Sequence, residues 1–299
     1  SGRLLCQRVE LRYAFMAEHE ARWPVSVMCA VMQVSRSGFY AYGQRQAPAC
    51  VGAEEAALLA RVKKIAAETR HSYGRRRMAK QLQADGFAVG RYKARRLMRQ
   101  AELTVQRRNQ RHPVTTDSRH SYRVAPNLLA RQFAVAKPNQ VWVGDMTYVW
   151  TAEGWLYLGI VLDLYSRTVV GWAMSQRVDA ALVQEALQMA LGRRQPTAGL
   201  IHHSDRGSQY ACGIYQALLA KSGIRCSMSR KGDCLDNAVA ERFFGSLKSE
   251  RTSLRPYANR QEAWDDIIDY IEMFYNSKRL HSYLGYVSPN NFERVARVA

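Results

Sequence analysis

The sequence predicts an α/β protein, in which a mixed five-stranded sheet flanked by helices follows all-α helix-turn-helix segments. Three strand-like stretches come in succession: QVWVGDMTYVW (140–150), GWLYLGIVLDLYS (154–166) and RTVVGWAMS (167–175). Helical and strand-like segments then alternate to residue 276, whereas residues 1–103 show only helical spacing. Consecutive strands followed by alternating elements are typical of a mixed sheet with helices on its faces.

The first part of the chain is expected to hold two helix-turn-helix units. WPVSVMCAVMQVSRSGFYAY (23–42) has the spacing of two short helices around a turn, and a helix within residues 1–20 precedes it. A helix over 53–70 leads into 71–103, where two helical stretches flank a turn containing Gly86.

The order of elements in the second part is β-β-β-α-β-α-β-α-α. After the three strands we expect helix 181–194, strand GLIHHSD (199–205), helix 209–222, strand RCSMS (225–229), a helix capped by Asp236-Asn237 and running to about Arg251, and helix 260–276. In such an order the first strand lies centrally and the fourth lies beside it. The predicted domains are residues 1–50 (first helix-turn-helix), 51–110 (basic helix-turn-helix), 111–138 (basic linker) and 139–299 (catalytic domain with a C-terminal helical extension).

Positive charge is concentrated in one stretch. The chain has 44 Lys and Arg against 25 Asp and Glu, a net charge of +19. Residues 61–131 hold 19 of these bases and only 4 of the acids. Ordinary surfaces mix both signs, so this stretch favours a polyanion-binding segment over a merely solvated surface. The outward-facing bases that we expect to bind DNA are Arg75, Arg76, Arg77, Lys80, Arg91, Lys93, Arg95 and Arg96.

Several classes of protein are excluded. The six Cys form no C-x-x-C pair, so neither a zinc site nor a disulfide framework is expected, and a reducing cytoplasm is the simplest setting. No apolar run approaches the 18 residues of a membrane span, and no signal peptide is expected because Arg3, Arg8 and Arg12 interrupt the start.

Three acids stand where the predicted elements meet. Asp145 lies within the first strand, Asp205 ends the fourth, and Glu241 lies one turn into a helix whose apolar positions are Ala240, Phe243, Phe244 and Leu247. Asn237, Glu241 and Lys248 fall near one polar face of that helix. Glu241 alone has a structural explanation, since an acid is favoured near a helix N-terminus. The sheet order, however, places Asp145 and Asp205 side by side, and the helix can bring Glu241 to them.

Three carboxylates held together would repel one another unless cations neutralise them. Hard oxygen ligands suit Mg²⁺ or Mn²⁺, and two such ions per active site could clamp the attacking and leaving oxygens of a phosphodiester displacement. Asp163 is a rival third acid, although a structural role at the strand end is favoured. Asp233 and Asp236 are expected in a turn. His202 and His203 are poor zinc-site candidates, because adjacent strand residues point to opposite faces.

Several motifs together resemble a known family. GDMTYVW, LDLYSRTVVGW, HSDRGSQY and DNAVAERFFGSLKSE resemble the catalytic core of insertion-sequence transposases related to retroviral integrases, and most closely the OrfB-type transposases of the IS-three family. Thirty-five residues separate Asp205 from Glu241, which is the spacing of that family. YNSKRLHSYLGYVSPNNF (275–292) resembles its terminal signature, and VSRSGFYAY and HSYGRRRMAKQL resemble its upstream helix-turn-helix segments.

The resemblance implies an RNase H-like fold and a DDE-type active site in which Asp145, Asp205 and Glu241 are the acidic triad. Asn237, Arg242 and Lys248 match motif positions flanking the Glu, and Lys248 is the foremost candidate for contacting DNA near the reacting end. The implied partners are double-stranded DNA (terminal inverted repeats and target), a second copy in a homodimer or higher oligomer, and an upstream reading-frame product or fusion. No membrane partner is expected, and the implied location is the bacterial cytoplasm at the nucleoid.

The predicted function is therefore a DNA transposase that cleaves insertion-sequence ends by metal-dependent hydrolysis and joins the 3′-hydroxyl to DNA by transesterification. A nuclease of the same fold would cut without joining. A DNA-binding regulator or inactive remnant would bind without either reaction. Strand joining separates these alternatives.

Overall fold

The computed structural model describes residues 8–46, 53–105, 121–230 and 234–298. They form two compact units, of which one ends at Leu58 and the other begins at Leu59. Part of the helix predicted within residues 1–20, part of the predicted basic linker 111–138 and Asp233 lie outside the described residues.

The first unit is helical. It contains α1 (Val9–Glu18), α2 (Val25–Met32) and α3 (Arg36–Gln46). Their buried side chains form one small core of Tyr13, Met16, Met28, Cys29, Met32 and Phe39. The turn before α3 is fixed by Ser35, whose hydroxyl oxygen accepts a hydrogen bond from the Gly38 amide at 3.0 Å, as an N-cap does. The two short helices predicted within 23–42 are confirmed.

Basic helices open the second unit. Helix α4 (Ala53–Glu68) spans the division between the units, and α5 (Arg75–Ala84) and α6 (Arg91–Gln100) follow and pack against each other. Met78, Leu82 and Leu97 are fully buried, so each helix has an apolar face and leaves a basic one outward. The turn between them needs Gly86, whose φ of +91° is open to glycine at no steric cost.

A five-stranded mixed sheet forms the centre of the second unit. Its strands are β1 (Val141–Thr151), β2 (Gly154–Asp163), β3 (Val169–Ser175), β4 (Ile201–Ser204) and β5 (Arg225–Met228). The order is β3-β2-β1-β4-β5, with β1, β2 and β3 antiparallel and β4 parallel to both β1 and β5. The predicted central first strand and its neighbouring fourth strand are confirmed.

Helices accompany the sheet: α7 (Ala180–Arg194), α8 (Ser208–Ala211), α9 (Gly213–Lys221), α10 (Ala238–Leu247), α11 (Arg260–Ile268) and α12 (Pro289–Val298). Helix α7 lies so close to β3 that a Cβ at Gly171 would collide with the carbonyl oxygen of Ala186. The single helix predicted over 209–222 is wrong, because the chain is extended at Cys212. On one continuous helix, residues five apart point about 140° apart. The break lets Tyr210 and Tyr215 enter the same core, with ring centroids 5.4 Å apart.

Two helices end in wider turns. Lys248–Thr252 follows α10 as a π-helical turn, and Asp269–Tyr275 follows α11 in the same way. Such turns are frequently found at functional sites. Among the described residues, no helix combines the length and apolar character that crossing a membrane requires.

Candidate active site

Two of the predicted acids lie at neighbouring strands of the sheet. The parallel pairing of β1 with β4 aligns Val143 with His203. Asp145 comes two residues later on β1, and Asp205 comes two residues later along the chain that leaves β4. The two aspartates are therefore brought beside each other where β4 ends, and their interaction is direct enough for Asp205 to raise the pKa of Asp145.

The surroundings of Asp145 disfavour the ionised form of its carboxyl group. Burial raises its pKa most, the negative charge of Asp205 raises it further, and Glu241 adds to the same effect. A hydrogen bond donated by the Met146 amide at 2.8 Å and the positive charge of Lys248 act in the opposite direction. The three acids, which we call the acidic cluster, are thus near enough for Asp205 and Glu241 to act on Asp145, although 95 residues of sequence lie between the first and the last.

Asp205 is positioned by a local turn. Its carboxylate accepts a hydrogen bond from the Gly207 amide at 2.9 Å. A Cβ at Gly207 would lie 3.1 Å from that same carboxylate oxygen, tighter than ordinary van der Waals contact. Glycine therefore leaves the side chain its place at the end of β4. This turn therefore holds the Asp205 carboxylate directly after β4.

Helix α10 brings Glu241 to the strands. Its apolar positions Ala240, Phe243, Phe244 and Leu247 are all buried, as predicted, and Glu241 is exposed on the opposite side. Asn237 anchors the start of the helix, because its side-chain amide donates to the Gly144 carbonyl at 3.3 Å. Gly144 precedes Asp145 directly, so this bond ties the helix to the strand beside the acid.

The positive charge of Lys248 acts on the acidic cluster, because it lowers the pKa of Asp145. Lys248 lies at the end of α10, with its ammonium nitrogen 5.0 Å from the centroid of the Tyr148 ring. Partial burial lowers the pKa of Lys248, and the charge of Asp145 raises it. The predicted neighbour Arg242 is exposed on α10.

The rival residues have structural explanations. Asp163 is fully buried and accepts hydrogen bonds from the amides of Asn139 (2.7 Å) and Tyr165 (2.8 Å), which makes it the anchor of a strand-end turn. His202 and His203 are also fully buried, and burial lowers the pKa of His202 to about 3 and that of His203 to about 4. Both rings are therefore neutral at physiological pH.

Asp236, predicted to be a capping residue, has a different role. It is fully buried and lies 3.0 Å from both the Arg131 and the Arg230 guanidinium, which hold its pKa well below the usual range. Asn127 donates a further hydrogen bond to it at 2.8 Å. This buried charge is paired and connects the segment before β1 to the approach of α10.

Two of the residues predicted to contact DNA have partners within the protein. Arg77 donates to Glu250 at 3.2 Å and is largely enclosed, because this ion pair joins α5 to the turn after α10. Asn237 is 4% exposed, and its side chain hydrogen-bonds the start of α10 to β1. The bases Arg75, Arg76, Lys80, Arg91, Arg95 and Arg96 are exposed, and Lys93 is half-buried.

Sequence reasoning missed some residues beside these sites. Tyr92 is 69% exposed among the bases of α6, and its hydroxyl accepts a hydrogen bond from Arg91 at 3.0 Å. Trp150 and Trp155 flank the β1–β2 turn and are exposed. The sequence holds a signal for each: Tyr92 stands between Arg91 and Lys93, and Trp150 and Trp155 stand where two strand-like stretches meet a turn.

The carboxylates suit a hard divalent cation in their chemistry. Their oxygens are the ligands that Mg²⁺ and Mn²⁺ prefer, and the repulsion that raises the pKa of Asp145 is the kind that a cation relieves. Within the described ranges, no three His, Cys, Asp or Glu side chains converge closely enough to hold one ion.

Comparisons with known proteins cover most of the chain. Family models described as "Integrase core domain" match residues 135–234 and 241–295, and a model described as "HTH-like domain" matches residues 53–111. The solved HTLV-2 integrase catalytic core domain in complex with magnesium aligns with 52% of this chain and 96% of its own, at 16% identity and a TM-score of 0.39. A simian T-cell lymphotropic virus intasome chain aligns over 77% of this chain and 73% of its own, at 14% identity and a TM-score of 0.41.

Curated bacterial proteins are much more similar. The insertion element IS600 uncharacterized 31 kDa protein of Shigella sonnei is 46% identical over 265 residues, which cover 89% of this chain and 97% of that protein. Transposase InsF for insertion sequence IS3A of Escherichia coli (strain K12) is 38% identical over 288 residues, covering 95% and 98%. The chain therefore belongs to the IS-three family of insertion-sequence transposases, and its integrase core makes it an enzyme of the DDE polynucleotidyl transferase class.

Proposed function

We propose that this transposase nicks DNA at the ends of its own insertion sequence and joins the exposed 3′-hydroxyl to another phosphodiester. The observation that carries the proposal is the acidic cluster, in which the charges of Asp205 and Glu241 raise the pKa of the half-buried Asp145 and the charge of Lys248 lowers it. A cluster whose charges disfavour one another is a candidate functional site, since stability alone gives no reason to hold it.

Divalent metal ions are part of the proposal. Asp145 and Asp205 would hold one Mg²⁺ or Mn²⁺, and Asp145 and Glu241 would hold a second. When bound, such ions lower the pKa of an attacking water or hydroxyl and stabilise charge on the leaving oxygen. The number of ions and the role of each acid are proposed from the chemistry of the ligands.

The two reactions balance without a covalent protein intermediate. In the nick, a water oxygen bonds to phosphorus, the bond to the 3′-oxygen breaks, and that oxygen leaves as the 3′-hydroxyl. In joining, the 3′-hydroxyl attacks a second phosphodiester, so one phosphodiester bond forms as another breaks. Lys248 would hold the DNA phosphate beside Asp145, because its ammonium group already lies close enough to lower the pKa of that acid.

The exposed bases of α5 and α6 would bind the terminal repeats. Arg75 and Arg76 lie at the start of α5, and Arg91 and Arg95 lie in α6, all exposed. Contacts of such bases with phosphates release counterions, so the affinity should fall steeply with salt. Two ends must be held together for transposition, so we propose a dimer or a larger assembly, acting at the bacterial nucleoid. An upstream reading-frame product or fusion would supply further DNA contacts.

The deciding experiment is a nicking and joining assay on DNA that carries the element's own ends. The protein would be compared with Glu241→Gln in Mg²⁺ and in Mn²⁺, with Glu185→Gln on α7 as an exposed control of the same chemistry. We expect joined products that disappear with Glu241→Gln and persist with Glu185→Gln. Nicks without joining would point to a nuclease. Binding without either product, in every protein, would point to a regulator or an inactive remnant.

A further inference from the structure

An aromatic surface lies beside the turn that joins β1 to β2. Trp150 on β1 pairs with Trp155 on β2, and their ring centroids lie 4.7 Å apart in an edge-to-face arrangement. Tyr148, two residues before Trp150 and so on the same face, lies 4.9 Å from the Trp155 ring, again edge to face. We call Tyr148, Trp150 and Trp155 the aromatic platform.

The two tryptophans of the platform are exposed to solvent, although large aromatic side chains are ordinarily buried. Trp150 is 58% exposed and Trp155 is 41% exposed. Trp142 on the same strand is instead fully buried in the core. Aromatic residues contribute most to stability and binding when they are covered, so exposed rings in contact with one another suggest a surface that is covered by a ligand.

Two bases adjoin the platform, while the acid Glu153 lies in the turn between its two tryptophans and accepts a hydrogen bond from the Arg260 amide at 2.9 Å. The Lys248 ammonium lies over Tyr148 and also interacts with Asp145, so it connects the platform to the cluster. On the other side, the Arg260 guanidinium donates to the Trp155 carbonyl at 3.1 Å. Asp145 and Trp150 are five residues apart on one strand, or about 17 Å at roughly 3.3 Å per residue, and this odd spacing turns their side chains to opposite faces. Lys248 lies near Tyr148 and acts on Asp145, so a nucleotide chain that its ammonium group holds would pass from the cluster to the rings.

We propose that the aromatic platform binds unpaired nucleobases of the DNA next to the bond that is cut. Every base has a π-face, so aromatic rings take bases of any sequence, while Lys248 and Arg260 provide the positive charge that a sugar-phosphate backbone requires. Paired bases in a duplex are stacked on their neighbours and present no free face. The platform therefore favours an opened end over a fully paired one. This inference rests on the proposed function, since it places the scissile phosphate at the acidic cluster.

The test is a binding measurement that needs no catalysis. The probes are two fluorescently labelled duplexes carrying the element's end, one fully paired and one with three mismatched pairs at the cleavage position, both in Ca²⁺. Anisotropy would be followed for the wild type, for Trp150→Ala with Trp155→Ala, for the two Phe replacements together, and for Ile214→Ala. Ile214 is a 68% exposed apolar residue on α9 and serves as the control.

We expect the wild type to bind the mismatched end at least about fivefold more tightly than the paired one, the smaller effect of stacking one base. The double Ala variant should lose this preference and keep its affinity for the paired end, while the Phe replacements and Ile214→Ala retain it. The proposal would be overturned if the wild type did not prefer the mismatched end, or if the double Ala variant kept that preference. An equal loss on both probes would also overturn it. Should the double Ala variant not fold, the wild type is tested with 2-aminopurine placed in the mismatched segment. Quenching of its fluorescence on binding would support stacking on the rings, and undiminished fluorescence would overturn it.

Failure of this inference is separable from failure of the proposed function. Nicking and joining that depend on Glu241, with no preference for opened ends, would remove the platform and leave the transposase mechanism intact. A preference that depends on the platform, without nicking or joining, would leave the platform as a DNA-binding surface and remove the catalytic proposal.

Discussion

Two groups of enclosed acids in the same unit have opposite electrostatic environments. In the acidic cluster, burial and two neighbouring carboxylates raise the pKa of Asp145. Glu250, nine positions after Glu241 along α10 and its π-helical turn, is more buried than Asp145 yet has a lowered pKa. Its partners make the difference: Arg279 donates two hydrogen bonds at 2.6 and 2.7 Å, and Arg77 and the Tyr270 hydroxyl donate others.

Asp266 repeats the second environment. It accepts hydrogen bonds from the Tyr257 hydroxyl at 2.8 Å and from Arg70 and Arg251, and its pKa is lowered as well. We call the acids Glu250 and Asp266, with these donors, the paired-acid network. Arg70 and Arg77 come from the basic helical segment, so the network ties that segment to the C-terminal helices.

The comparison separates acids that hold the fold from acids that are available for chemistry. A buried charge with matched cations is satisfied, and removing one partner leaves the other uncompensated. A carboxylate whose pKa is raised by neighbouring carboxylates is disfavoured in its ionised form, and a bound cation would relieve that repulsion. Substitutions in the two groups should therefore have opposite effects on stability and activity.

The largest expected effect is on activity. Asp205→Asn should reduce nicking on the order of a thousandfold, because a ligand of the reacting centre is removed. DNA affinity should remain, and the thermal midpoint should stay the same or rise, since one repelling charge disappears beside Asp145. Nicking rates, anisotropy and thermal melting measure the three. A parallel fall in binding and nicking would contradict a catalytic role.

The next effect is on stability. Glu250→Gln should lower the free energy of unfolding by about 3 kcal/mol, because Arg279 stays buried without its counter-charge. Urea unfolding measures this, and the exposed Glu185→Gln should change it little. Residual nicking by the folded fraction is expected to persist. Unchanged stability would mean that the paired-acid network contributes little.

A pH-dependent effect follows at the edge of the network. Burial and the charges of Arg279, Arg77 and Arg167 lower the pKa of His281 to about 2. The unfolded chain binds a proton near pH 6.5 and the folded chain does not, so stability present above pH 6.5 is lost as the pH falls towards 2. Wild type should lose about 1.4 kcal/mol per pH unit more than His281→Gln below pH 6.5. Urea unfolding at pH 7, 6 and 5 compares the slopes; parallel curves would refute the assignment.

The smallest effect concerns DNA affinity alone. Arg75→Ala should reduce the slope of log affinity against log salt by about 1, because one phosphate contact is lost. Its free energy of unfolding should hardly change, since Arg75 is exposed. Arg225→Ala, an exposed base on β5, is the control. Arg77→Ala should behave in the opposite way and lower stability, because its guanidinium is bound to Glu250. Equal salt slopes for Arg75→Ala and wild type would remove this DNA contact.

Local pattern determined a large part of this molecule. The strand alternation of 140–175, the helical spacing elsewhere and the order of the elements predicted the mixed sheet with β1 at its centre, because side-chain periodicity reports which face is covered. The same order predicted that Asp145 and Asp205 lie side by side, and the motifs together carried the resemblance to the family that the comparisons show.

Only the tertiary structure decided which charges are satisfied. Arg77 reads as one more outward base of a basic helix, and Glu250 as an acid after α10, yet they bind each other across 173 positions of sequence. The break at Cys212 and the burial of Asn237 likewise depend on which core receives each side chain. Periodicity records the face of one element, whereas the pairing of charges depends on which elements meet. The sequence therefore determined where acids and bases stand along the chain, and the fold decided which of them neutralise each other and which acids repel one another.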